Sequence, residues 1–187
     1  TKQLVDAMEK DYKELVKEVQ RVMPIQKITE VLKRLVSEDV SIRNLRAIFE
    51  ALIDWAPKEK DTILLVEYVR GSLSRHICHK FRGQQNVLPA YMFTPDVEDK
   101  IRNEIRQTSS GSYLALDPAV VRKLVEKIKA TVGDIALQPQ RPVLLTSMDI
   151  RRYVRKMIEG DMYDLSVLSY QELTKDINIQ PLGRVSL

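Results

Sequence analysis

The stretch RHICHK, residues 75–80, gathers both histidines and the only cysteine of this 187-residue chain, side chains suited to holding zinc or relaying protons. On a helix His76 and His79 share a face, but Cys78 lies about 200° round the axis from His76, so the three cannot meet at one ion. Two histidines alone fall short of the three protein ligands that catalytic zinc takes. They read better as helix-end side chains that complement the helix dipole, and no metal or other cofactor is expected. Phosphate chemistry has no home either. The chain has no glycine-rich loop with its lysine and no G-x-G-x-x-G after a strand. QTSSGSY, residues 107–113, lacks the spacing of a nucleophile elbow and reads as a turn between a helix and a strand. Carboxylates are numerous, yet no pair stands out from the charged helical faces. An enzyme is not expected.

A different chemistry is open to Arg43, Asn44 and Arg46. They start the second of two amphipathic runs, ITEVLKRLVSEDV and SEDVSIRNLRAIFEALIDWA, which together read as helix, turn, helix. A helix-turn-helix protein keeps its base-contacting side chains at that place. Projected at about 100° per residue, Ile42, Leu45, Ile48, Phe49, Leu52, Ile53 and Trp55 fill one side of the second helix. Arg43, Arg46, Glu50 and Asp54 group on the other. A face carrying Glu50 and Asp54 would meet phosphates with like charge, so a nucleic-acid-binding regulator is the alternative reading and a protein neighbour the preferred one. The charge order also opposes the helix dipole, with arginines first and acids last, and Glu50 and Asp54 repel one another at i, i+4. Such a bipolar strip can be balanced by charges elsewhere in the chain or on a neighbouring subunit, where it would set register. Arg43, Arg46, Glu50 and Asp54 are therefore expected at a subunit interface. A basic strip of Arg151, Arg152, Arg155 and Lys156 is a possible second partner surface, set against an ordinary solvated face.

The elements that must position these groups fall into two sets, divided near FRGQQNVLPA. Residues 1–82 read as a helical subdomain of four helices with short connections. The first places Leu4, Met8, Tyr12, Leu15 and Val19 on one stripe. Pro24 suits the first turn of the helix carrying Ile25, Ile28, Leu32 and Leu35. Pro57 ends the third helix, and Asp61 caps a fourth running through ILLVEYVRGSLSRHICHKF. Residues 83–187 read as an α/β subdomain. Three times an apolar strand runs into a cap and an amphipathic helix: LPAYMFTPDVEDKIRNEI, SYLALDPAVVRKLVEKI and RPVLLTSMDIRRYVRKMI. Thr94 and Asp117 each precede a first-turn proline, and Thr146 with Asp149 has capping-box spacing. DLSVLSY adds a fourth strand, and the tail INIQPLGRVSL can add an edge strand because of Pro181. The fold class is thus mixed α+β, helical first and then an α/β layer with about four strands, at least partly parallel.

Composition agrees with a packed domain. At 44% hydrophobic and 30% charged the chain is neither disordered nor membrane-like. Its charge of +4 is mildly basic, but acids alternate with bases along the helices where a nucleic-acid binder would cluster its cations. A single cysteine excludes an intrachain disulfide and suits a reducing compartment. No apolar run approaches the roughly 18–20 residues that span a bilayer, and no signal peptide is evident. The opening TKQLVDAMEK, already helical in character, reads as a fragment of a longer protein.

Four segments in order, EDVSIRNLRAIFEAL, RPVLLTSMDIRRYV, LSVLSYQEL and IQPLG, resemble the signature segments of the FlhA/InvA/LcrD family. These are the large export-gate proteins of bacterial type III secretion and flagellar export, and the resemblance runs from about Leu4 to Gly183. It implies a membrane-spanning half outside this chain and a cytoplasmic half of four subdomains, of which this chain is similar to the last two. It further implies a nonameric ring at the cytoplasmic face of the bacterial inner membrane, with the helical subdomain in the ring contacts. The ring would dock secretion chaperone–substrate complexes and other export-apparatus proteins, with no cofactor, no catalytic residue and no nucleic acid. IQPLGRV resembles the virulence (injectisome) branch more than the flagellar one.

Overall fold

The computed structural model describes every residue, Thr1–Leu187. The chain forms two compact units, Thr1–Ile77 and Cys78–Leu187. The division falls inside a helix, Ser74–Phe81.

The first unit is helical. It holds α1 (Lys2–Asp11), α2 (Lys13–Val22), α3 (Ile25–Ser37), α4 (Leu45–Trp55), α5 (Thr62–Ser72) and the start of α6 (Ser74–Phe81). Two runs expected as single helices are broken. The first breaks at Tyr12, whose backbone leaves the helical region (φ −136°, ψ 52°). No glycine or proline is present there to announce the break. In α1 the buried anchor is Val5, while Leu4 and Tyr12 are 38% and 40% exposed, so one continuous stripe does not exist. The second run breaks at Leu73 (φ −94°, ψ 17°), just after Gly71 and Ser72 weaken the helix. Ser72 Oγ there donates to the Tyr68 carbonyl at 3.2 Å. The unit packs α2 and α5 against α4, and α3 against α5. Val19, Ile28, Leu35, Ile48, Phe49, Leu52 and Val69 are fully buried. Helix ends follow cap chemistry. Pro24 stands at the N-cap of α3, one residue earlier than expected. Asn44 Oδ1 accepts from the Ala47 amide at 3.1 Å, and Asp61 accepts from Ile63 at 2.8 Å. Asp39 closes α3 in the left-handed region (φ 58°), with the Val40 amide on the Leu35 carbonyl.

The second unit is built on a four-stranded sheet. In chain order its elements are β1 (Val87–Phe93), α7 (Pro95–Asn103), β2 (Ile105–Thr108), β3 (Gly111–Leu114), α8 (Pro118–Val132), β4 (Val143–Thr146), α9 (Met148–Ile158), β5 (Ser166–Ser169) and β6 (Asn178–Val185). The sheet order is β5-β4-β1-β6, and every pair is parallel. The expected mixed fold with four sheet strands is present, but its membership differs in one strand. SYLAL of the second strand–helix copy does not join the sheet. It pairs antiparallel with Ile105–Thr108 in a separate hairpin, turned at Ser109–Ser110 and closed by Gly111 at φ 128°. QTSSGSY is therefore a turn between two strands, not between a helix and a strand. The tail supplies the missing strand. Pro181 lies in edge strand β6, and the ladder shifts between Ala90 and Tyr91.

One face of the sheet carries the core of this unit. Tyr91, Phe93, Leu144, Val167 and Val185 meet Val97, Ile101, Leu124, Ile128, Ile150 and Val154 from α7, α8 and α9. Asp117 caps α8 by accepting from Ala119 at 2.7 Å. The box expected from Thr146 and Asp149 does not form, because Thr146 is the buried last residue of β4. Ser147 holds the N-cap of α9 instead, and Asp149 pairs with Arg102. Thr94 occupies the N-cap of α7, yet its hydroxyl donates to the Val185 carbonyl at 3.4 Å and ties β6 to the end of β1.

Candidate functional site

Helix α4 begins at Leu45, because Asn44 caps it. Arg43 and Asn44 therefore precede the helix. Its inner side is formed by Leu45, Ile48, Phe49 and Leu52, all buried. Ile53 and Trp55 are half-buried, and the Trp55 ring stacks on Tyr68 at 4.3 Å. Arg43, Arg46, Glu50 and Asp54 are all exposed. Arg46 Nε donates to Glu50 Oε1 at 2.9 Å, and its guanidinium lies 5.5 Å from the centre of the Tyr12 ring. Glu50, and after it Tyr12, strengthen the hold of Arg46 on its proton. The reversed charge order along α4 is thus balanced in part within the helix, one turn apart. Arg43 and Asp54 have no ion-pair partner in the chain.

This arrangement does not resemble a base-reading surface. Of the three residues in the helix-turn-helix position, Asn44 is committed to its cap and to His76, whose Nε2 lies 3.0 Å from Asn44 Nδ2. Arg46 is committed to Glu50. A recognition helix needs such side chains extended into the groove.

The residues of RHICHK separate. His76 turns to Asn44. His79 Nδ1 lies 3.2 Å from Arg82. Cys78 is buried, its Sγ donating to the Glu172 carbonyl at 3.2 Å and accepting from the Thr174 amide. No group of three or more His, Cys, Asp or Glu side chains is placed to hold a metal.

The basic strip on α9 requires a correction. Arg151 and Arg155 are only 1% and 6% exposed and cannot present a partner surface. Arg151 donates to the Val167 carbonyl at 3.0 Å and lies 3.9 Å from the buried Glu172. Arg155 donates to the carbonyls of Tyr163 and Leu165, both at 3.0 Å, beneath the Tyr163 ring. Only Arg152, half-buried against Tyr153, and the exposed Lys156 face outward. The spacing held the signal: Arg151, Val154, Arg155 and Ile158 recur at i, i+3, i+4 and i+7, the pattern of a buried stripe.

In an open parallel sheet a ligand usually sits beyond the carboxyl ends of the strands, where helix N-termini converge. Here that seat is filled by the chain itself. Glu98 of α7 accepts from the Ser147 amide at 3.1 Å and the Ser147 hydroxyl at 2.6 Å, at the start of α9. Tyr170, nearby at the end of β5, has its phenol pushed up by burial and then by Glu98. A depression of about 580 Å³ beside Lys129, Asp134, Arg141 and Tyr163 is equally spoken for. Lys129 pairs with Asp161 at 3.0 Å, and Arg141 donates to the Asp164 carbonyl at 2.8 Å. Neither place gathers a nucleophile, a base and an acceptor, so α4 remains the feature with outward chemistry.

A model of the FHIPEP family matches residues 1–178. The Low calcium response locus protein D of Yersinia pestis is 58% identical over 187 residues, all of this chain and 27% of that protein. The chain thus spans about a quarter of the length of this curated relative. Among solved structures, the Chlamydia pneumoniae CdsV protein superposes with a TM-score of 0.93 at 49% identity, over 99% of this chain and 53% of that one. CdsV has also been solved in complex with CdsO. The nonameric EscV cytosolic domain from the type III secretion system gives a TM-score of 0.87 at 45% identity, over 99% of this chain and 55% of that one. No helix of this chain is long and apolar enough to cross a membrane.

Proposed function

Because this chain belongs to the FHIPEP family, we propose that it is the far part of the cytosolic portion of a type III secretion export gate, acting without catalysis. The two units would be the family's last two cytoplasmic subdomains, held at the inner membrane by a part of the protein outside this chain. In this reading nine copies form a ring, and the ring docks chaperone–substrate complexes and other export components. The carrying observation is the likeness, over 99% of this chain, to a cytosolic domain solved as a nonamer. The CdsV–CdsO complex supports docking of a further export component.

Within that ring α4 is the proposed contact. Arg46, with Arg43 just before the helix, lies toward one end of α4 and Glu50 and Asp54 toward the other, so a heterologous contact can set unlike ends against each other. Arg152 and Lys156 remain a second, smaller outward surface. The test is a charge swap, Arg46→Glu with Glu50→Lys, in a chain extended to the length of the solved cytosolic domains. The swap keeps the i, i+4 pair and places it in the better orientation for a helix. Folding is therefore preserved while the outward pattern is inverted. Sedimentation velocity is expected to find the association constant of the contact reduced at least about tenfold, roughly 1.4 kcal/mol. Undiminished assembly would remove α4 from the interface.

A further inference from the structure

We propose that Asn44 and His76 form a proton-sensitive latch, which caps α4 at neutral pH and uncaps it on acidification. The orientation of the Asn44 amide is fixed by its cap. Because Oδ1 accepts from the Ala47 amide at 3.1 Å, it is the NH₂ group that faces His76 Nε2 at 3.0 Å. A donor there requires an acceptor, so Nε2 carries the lone pair and the imidazole is neutral, with its proton on Nδ1.

Protonation turns Nε2 into a donor facing a donor. The amide resolves the clash by turning over. Oδ1 then accepts from the imidazolium, and the Ala47 amide loses its cap and becomes one of the orphan donors of a helix start. Histidine takes up its proton within the range of about pH 5 to 8, where no other ordinary side chain does. In the sequence Arg43 and Arg46 lie beside Asn44, and Arg75, His79 and Lys80 lie beside His76; Arg46 pairs with Glu50. No carboxylate forms an ion pair with His76 to offset the added charge. In the neutral, capped state both the Ala47 amide and the Asn44 NH₂ group have acceptors. Release frays the first turn of α4, which carries Arg46. That consequence for assembly rests on the ring reading; the latch itself does not.

The test is local and needs no ring. In the 187-residue chain, nitrogen NMR at about pH 7.5 is expected to find His76 protonated on Nδ1 alone. From there to about pH 5.5, Ala47 amide exchange, corrected for its intrinsic pH dependence, is expected to accelerate about fivefold, the effect of losing one cap. His76→Gln removes the titrating proton and keeps an acceptor, and Asn44→Asp keeps a cap in either state. Both variants should flatten that response. A proton on Nε2 at neutral pH, unchanged Ala47 exchange in the wild type, or the same acceleration in His76→Gln would each overturn the latch. Because the readout is a single amide, a failed ring contact on α4 would leave it standing.

Discussion

Arg46 on α4 and Arg151 on α9 look alike in the sequence, since each lies near the start of an amphipathic helix among charged neighbours. They end in opposite environments. Arg46 lies on the surface and finds Glu50 one turn along its own helix at 2.9 Å. Arg151 lies in the core and reaches a strand carbonyl at 3.0 Å and Glu172, twenty-one residues away, at 3.9 Å. The difference teaches that a charged side chain does not declare its face. Arginine has a long apolar stem and a forked head, so it fits inside wherever carbonyls and a carboxylate await it. On α4 the whole outer side is polar. On α9 the arginines interleave with Ile150, Val154 and Ile158, all buried.

If the contrast is real, equal chemical changes must have unequal effects. The largest belongs to Glu172→Ala, which strands the buried Arg151 without its counter-charge and breaks the Ser169 amide contact at 2.6 Å. A loss of about 3–5 kcal/mol in urea unfolding is expected; a loss of under about 1 kcal/mol would mean that Arg151 is no more dependent on its partner than a surface residue. Next comes Arg155→Met, similar in reach but without donors. It leaves the Tyr163 and Leu165 carbonyls short of hydrogen bonds, and about 1–3 kcal/mol should be lost in the same assay. Smallest is Arg46→Ala, for which a thermal melt should find no resolvable change in Tm. A clear destabilisation there would show that the α4 pair is structural and would erase the distinction.

Much of this architecture was legible in the residues. The buried stripe of α3, the Asp61 and Asp117 caps, the Pro181 edge strand and the order of helical unit before α/β unit all follow from local rules. What could not be read locally was decided by distant partners. The break at Tyr12 has no breaker residue to announce it. SYLAL has strand character, but it pairs with its near neighbour Ile105–Thr108 and not with the sheet. Thr146 has cap chemistry, but β4 claims it. On α4 the exposure of Arg46, Glu50 and Asp54 follows from helical periodicity, whereas Arg43 precedes the helix and its place does not. The Asn44–His76 contact spans 32 residues, and nothing in either segment alone pointed to the other.

The two edge strands of the four-stranded sheet are β5 and β6, and neither presents an uninterrupted row of free backbone groups. At β5 the Val167 carbonyl accepts from Arg151, and in the turn before that strand the carbonyls of Tyr163 and Leu165 accept from Arg155. On β6, Pro181 and the ladder shift interrupt the other margin. Interrupted edges of this kind are poor templates for the addition of a strand from a second chain.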